Sequence, residues 1–87
     1  MEYLKDLFKK YEETKRISDY WDEKYAQDPM NEEIEKEWDE AYSTYHHYFM
    51  ELMKGIVRES DNQIDAKTAR KMIITEREKL KEIINKL

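Results

Sequence analysis

Two stretches decide the fold, Gln27-Asp28-Pro29-Met30-Asn31 and Ser60-Asp61-Asn62-Gln63-Ile64. Elsewhere the only strong backbone punctuator is Gly55, since Pro29 is the single proline and Gly55 the single glycine of 87 residues. A proline pushes the residue before it out of the α region, so a first helix ends at Asp28. Asp28 is then placed to cap the next helix, with Pro29 at its first position, where a missing N–H costs nothing. In the second stretch Asn62 suits the left-handed conformation that ends helices. Asp65 caps the helix that follows, and Ile64 before it can staple onto Ala69.

Between these breaks the apolar residues recur every three or four positions. Leu4, Leu7/Phe8, Tyr11, Thr14, Ile17/Ser18, Trp21 and Tyr25 form one stripe. Met30, Ile34, Trp38, Ala41, Tyr45, Tyr48/Phe49, Leu52 and Ile56 form a second. Tyr42, Met53 and Val57 widen it, as suits a helix that touches two neighbours. Ala69, Met72/Ile73, Leu80, Ile83/Ile84 and Leu87 form a third, which Glu76 interrupts where an apolar residue is expected. Gly55 lies inside the second helix at a cost of about 1 kcal/mol relative to alanine. Close approach of a neighbouring helix, a kink, or plain tolerance near a helix end would each account for it.

The expected fold is an all-α, antiparallel up-down-up bundle of three long helices, about 2–27, 29–59 and 65–86, in one domain spanning 1–87. Short turns make neighbouring helices antiparallel. A turn centred on Asp28 pairs positions summing to about 56: Phe8 with Phe49, Tyr11 with Tyr45, Ile17 with Trp38, and Trp21 with Ile34. Trp38 and Tyr45 are expected in the core facing the first helix. The same spacing suits a hairpin that dimerises, so a homodimer is a candidate assembly.

Composition excludes more than it assigns. Charged residues make up 43% of the chain, and the eleven aromatics (seven Tyr, two Trp, two Phe) argue against disorder. With no cysteine there is no disulfide, thiol chemistry or cysteine-held metal. The N-terminal residues lack the apolar core of a signal peptide, and no run reaches the ~20 apolar residues of a membrane span. A cytoplasmic protein is expected. No glycine-rich phosphate loop is present, and no nucleophile elbow surrounds Ser18, Ser43 or Ser60. The expectation is a protein that is not an enzyme and holds no cofactor.

Four features could carry function. From Asp19 to Glu40 ten acids (Asp19, Asp22, Glu23, Asp28, Glu32, Glu33, Glu35, Glu37, Asp39, Glu40) face only Lys24 and Lys36. Glu33/Glu37 and Glu35/Asp39 are like-charge i,i+4 pairs costing a few tenths of a kcal/mol each. In an up-down-up bundle Lys79, Lys81 and Lys86 would reach this end and neutralise it. Otherwise Glu33, Glu35, Glu37, Asp39 and Glu40 form a surface for a basic protein, or a mimic of nucleic-acid phosphates. The second feature is a ladder of aromatics. Most follow the seams, and Tyr3, Tyr20 and Tyr42 fit them least and are candidate interface residues. Because the aromatics lie in the acidic part, direct nucleic-acid binding through them is not expected. The third is His46-His47, which point in different directions. His47 and Glu51 lie one turn apart, but no second ligand cluster accompanies them, so no metal site is expected. The fourth is basic content in the third helix (Lys67, Arg70, Lys71, Arg77, Lys79, Lys81), diluted by Glu76, Glu78 and Glu82. It lacks the helix-turn-helix break of a DNA reader.

The run Gln63-Ile64-Asp65-Ala66-Lys67-Thr68-Ala69-Arg70-Lys71-Met72-Ile73, on through Leu80, resembles the end of small uncharacterised helical proteins encoded by phages and mobile elements of Gram-positive bacteria. The resemblance covers the last third and implies an accessory protein that binds another protein. Bacteriocin immunity proteins are likewise small bundles, typically of four helices and often basic, and the reading departs from them on both counts. The leading expectation is a protein–protein interaction module with a partner of unknown identity and no membrane association. The alternative is an acidic inhibitor that blocks a basic DNA- or RNA-binding partner through its Asp19–Glu40 end.

Overall fold

The computed structural model describes residues 2–86. They form α1 (Glu2–Gln27), α2 (Glu32–Glu59), α3 (Ala66–Thr75) and α4 (Arg77–Lys86). Leu87 of the third stripe lies outside the described residues. The molecule is an elongated 46 × 23 × 18 Å body. Helices α1 and α2 make a long antiparallel hairpin, with α3 packed on α2 and α4 on α1 and α3.

The first turn is longer than its proline implies. The Asp28 amide still bonds the Lys24 carbonyl at 3.1 Å, so Asp28 finishes α1 rather than opening α2. The cap of α2 is Asn31, whose Oδ1 accepts from the amides of Glu33 (3.0 Å) and Ile34 (3.3 Å). Asn31 Nδ2 donates to Asp28 Oδ2 at 3.2 Å, tying the turn together. Pro29 therefore sits in the turn, outside the helix. With the turn running from Asp28 to Asn31, partner positions sum to about 59 rather than 56. That slip puts Tyr25 and Asp22, not Ile17, against Trp38. The Tyr25 and Trp38 rings stack at 4.7 Å, and the Trp38 indole N–H donates to Asp22. Tyr11 and Tyr45 do meet, at 5.7 Å, and Tyr11 also lies 6.1 Å from Phe49.

The second turn follows its sequence. Asp61 and Asn62 take φ of 56° and 65°, and the Asn62 amide bonds the Val57 carbonyl at 3.0 Å. Both are residue types that tolerate the left-handed region. Asp65 Oδ1 caps α3 by accepting from the Thr68 amide at 2.7 Å. Hydrogen bonding from the Thr68 hydroxyl, and then from its amide, holds the Asp65 carboxyl below its ordinary value. Ile64 packs against the core that includes Ala69.

The expected third helix is two helices, which corrects the three-helix bundle. Glu76 leaves helical geometry at φ −132°, ψ 50°. Its amide closes α3 on the Met72 carbonyl (2.9 Å), and its own carbonyl accepts from the Leu80 amide (3.0 Å) to open α4. A straight helix would hold the Glu76 carboxylate against the hairpin. The bend leaves it half-buried and swings Leu80 and Ile84 into the core near α1, while Ala69, Met72 and Ile73 stay on α2's side.

The bend also decides where the core sits. Every fully buried apolar side chain lies at one end, here the head: Leu4, Phe8 and Tyr11 of α1, Phe49, Leu52 and Ile56 of α2, and the inner faces of α3 and α4. Gly55 is buried there because α1 comes close. A Cβ built on it would stand 2.8 Å from Leu4 Cδ2 and 3.5 Å from Leu7 Cδ1. Beyond Ser18 and Tyr42 the hairpin continues as a bare two-helix arm. Trp38 and Tyr45 are half-buried rather than central.

Candidate functional site: the acidic arm and its groove

The arm carries the acid-rich stretch, and the cations expected to neutralise it are elsewhere. Because α4 folds back at Glu76, Lys81 Nζ lies 4.0 Å from Glu12 and 5.9 Å from the Phe8 ring centroid, while Ile84 and Asn85 sit beside Lys5. All of α4, with Lys79 and Lys86, belongs to the head. On the arm Lys15 pairs with Asp19 at 2.9 Å, and Asp22 accepts from Trp38. Among the described residues, no ion pair includes Glu23, Asp28, Glu32, Glu33, Glu35, Glu37, Asp39 or Glu40.

These carboxylates do not form one surface. At 100° per residue, Glu33, Glu37 and Glu40 fall on one flank of α2, while Glu35 and Asp39 fall on the other. The first flank borders a groove between α1 and α2, of about 220 Å³, with Thr14, Ile17 and Trp21 on one wall and Glu37, Glu40 and Ala41 on the other. A neighbouring hollow shares Trp21 and Glu37 and adds Glu33, Ile34 and Lys36, so the groove runs on toward the turn. Ile17, expected in the core, is 52% exposed here. The seam runs through Tyr11, Thr14 and Ser18, and Ile17, about 100° round the helix from Ser18, falls outside it. The floor is thus apolar and open, and one rim is acidic.

The groove occupies the face of the hairpin opposite α3 and α4. On α1, the head helices touch Lys5, Phe8 and Glu12. The groove takes Thr14, Ile17 and Trp21, on the other side of the Tyr11–Ser18 seam by helical rotation. A second hollow, about 310 Å³, lies between α2 and α3 and is lined by Tyr42, His46, Phe49, Met50, Arg70 and Ile74 among others.

The three candidate interface tyrosines are each about half exposed, but they stand apart. Tyr3 is in the head, with the Arg58 guanidinium 5.3 Å from its ring. Tyr20 is on the outer side of the arm, edge-on to Trp21 at 5.1 Å, with Lys24 Nζ at 5.5 Å. Tyr42 borders the α2–α3 hollow and stacks on His46 at 6.1 Å. The histidines separate as expected: His46 joins that stack, while His47 packs edge-on to Tyr48 at 5.1 Å. Among the described residues no three His, Asp or Glu side chains are grouped to hold a metal ion, and no helix is long and apolar enough to cross a membrane. Lys67, Arg70, Lys71 and Ile74 form an exposed stripe along α3.

The groove is what sequence reasoning missed. Its signal was present in the doublet Ile17/Ser18, whose members stand about 100° apart on the helix, so that only one of them can face α2; Ser18 is buried and Ile17 is exposed. No family model, curated protein or solved structure matches this chain.

Proposed function

We propose that this chain is a non-enzymatic protein-interaction module whose docking element is the arm. One observation carries the reading. The hairpin extends past the head with an uncovered apolar groove, rimmed by Glu33, Glu37 and Glu40, which form no ion pair among the described residues. A helix optimised only for itself would not keep the repelling pair Glu33/Glu37 beside an exposed Ile17. Exposed apolar surface with a polar rim marks interaction sites. The rival reading, an inhibitor that occupies a nucleic-acid-binding site, draws on carboxylates on both flanks of the arm. It leaves the apolar floor without a role.

The test is capture of partners from the source cell on immobilised protein, beside a Glu33→Lys/Glu37→Lys/Glu40→Lys variant whose helicity is verified. Proteins held by the wild type and lost by the variant are the expected outcome. An identical set on both columns would refute the arm as the docking element. Release of the held protein by added nucleic acid, with no sensitivity to Ile17→Asp, would favour the phosphate mimic instead.

A further inference from the structure

The floor and rim of the groove set the shape and sign of what fills it. We infer that its occupant is a cationic amphipathic helix of a partner protein, laid along the arm with its basic flank over α2. The inference rests on the protein-interaction reading above.

The shape argues for a helix. Two straight antiparallel helices leave a linear trough that a third helix's ridge can fill. From Glu33 to Thr44 the trough follows α2 for about 16 Å at 1.5 Å per residue, roughly three turns of an opposing helix. The floor argues for apolar anchors, because Ile17 is 52% exposed and Trp21, Ile34 and Ala41 are only half-buried. The rim fixes charge and rotation. Glu33, Glu37 and Glu40 recur at i, i+4 and i+7 on the α2 side, a spacing that Lys or Arg at i, i+3/i+4 and i+7 of an opposing helix would meet. The α1 wall, Thr14, Ile17 and Trp21, carries no charge, and on the α2 side the three carboxylates outnumber Lys36. An incoming helix finds ion-pair partners on one side only, so the charge pattern selects one rotation about its axis.

A second copy fits less well. Groove against groove brings the two acidic rims together. The basic α3 stripe, Lys67, Arg70 and Lys71, lies on the opposite face of the hairpin. Groove-to-α3 contact is therefore not reciprocal and would extend head to tail instead of closing.

The test uses three labelled 18-residue peptides in fluorescence anisotropy. One places Leu on one helical face, Lys on one flank of it and Gln elsewhere, the second replaces Lys with Glu, and the third scrambles the first to destroy its period. The Leu–Lys helix should bind at least about tenfold more tightly than either control, a difference expected from lost anchoring or reversed charge. Glu37→Gln/Glu40→Gln should weaken it about fivefold at 50 mM salt and much less at 300 mM, because screening removes the rim's contribution. Ile17→Asp should weaken it about tenfold with unchanged helicity, because its side chain is already half in water. Glu35→Gln/Asp39→Gln, on the other flank, should leave affinity within about twofold. Equal binding of the scrambled peptide, or equal loss from the two flanks, would overturn the groove as a helix site. If the Leu–Lys helix does not bind but the rim variant still loses its cellular partner, the occupant is wrong and the interaction reading stands. If neither responds, both fall.

Discussion

Replacing Gly55 with alanine sets two known effects against each other at one atom. In an exposed helix interior the change gains about 1 kcal/mol of helix propensity. Here the new Cβ would stand 2.8 Å from Leu4 Cδ2, about 1 Å inside the carbon–carbon optimum. Leu4 is fully buried, so its side chain has no solvent to swing into. Overpacking a closed site costs about 1–3 kcal/mol. The net prediction is a loss of about 0–2 kcal/mol, read as a lower urea midpoint at constant slope. The sharper test is a cycle with Leu4→Ala, which alone should cost about 2–5 kcal/mol. With the leucine removed the clash is gone, and Gly55→Ala should then stabilise by up to about 1 kcal/mol. The sign of the alanine effect should therefore reverse between backgrounds. If Gly55→Ala stabilises both equally, the close approach of α1 to Gly55 is wrong, and the glycine is merely tolerated.

Trp38→Ala should cost about 2 kcal/mol, below the ~3–5 of a buried aromatic, because the ring is half-buried against Tyr25; a urea-derived loss above about 4 would place it back in a closed core. Burial, with Tyr45 beside it, pushes the Tyr11 phenol up to about 12. A raised pKa in the folded state means that this stability is fully present below pH 10 and is lost as pH rises toward 12. The loss should be on the order of 2–3 kcal/mol. Tyr11→Phe should flatten that part of the pH–stability profile, and an unchanged slope would place the titration elsewhere. Glu37→Gln with Asp39→Gln relieves both like-charge pairs while sparing Glu33 near the helix N-terminus. The melting temperature should stay level or rise by a few degrees, at a few tenths of a kcal/mol per pair; a clear fall would mean that these carboxylates have partners within the fold.

The helical class, the two turn regions and the Asp65 cap were legible because each depends on neighbours in sequence. Periodicity over 26 and 28 residues outweighs individual exceptions. What was not legible depended on small displacements acting at long range. Asn31 competes with Asp28 for the same cap, and the longer turn slips the register of the hairpin by about three positions, so that Trp38 meets Tyr25 and Asp22 rather than Ile17. Glu76 was visible as an anomaly. Whether a charge in a seam is paired or turned out by a bend depends on what lies opposite, and no local rule supplies that. The bend then carried Lys79, Lys81 and Lys86 to the far end from the acids they were expected to neutralise. The acidic arm was therefore legible as composition, while its want of neutralising cations and its groove were matters of tertiary placement.

The break at Glu76 also places the two ends of the described chain side by side. Asn85 and Lys5 line the same hollow, and the Asp28–Asn31 turn lies about 38 Å away along α1. A surface tether, a dye or a fused domain attached near either end would thus stand clear of the arm. The chain could also be re-cut. A short linker from Lys86 to Glu2 would allow new ends between Asp28 and Asn31, outside the closed core. Such a permutant should melt cooperatively as a helical protein while its arm loses the turn that joins its two strands of helix. Loss of cooperative melting on re-cutting would show that the arm supports the head and is not merely carried by it.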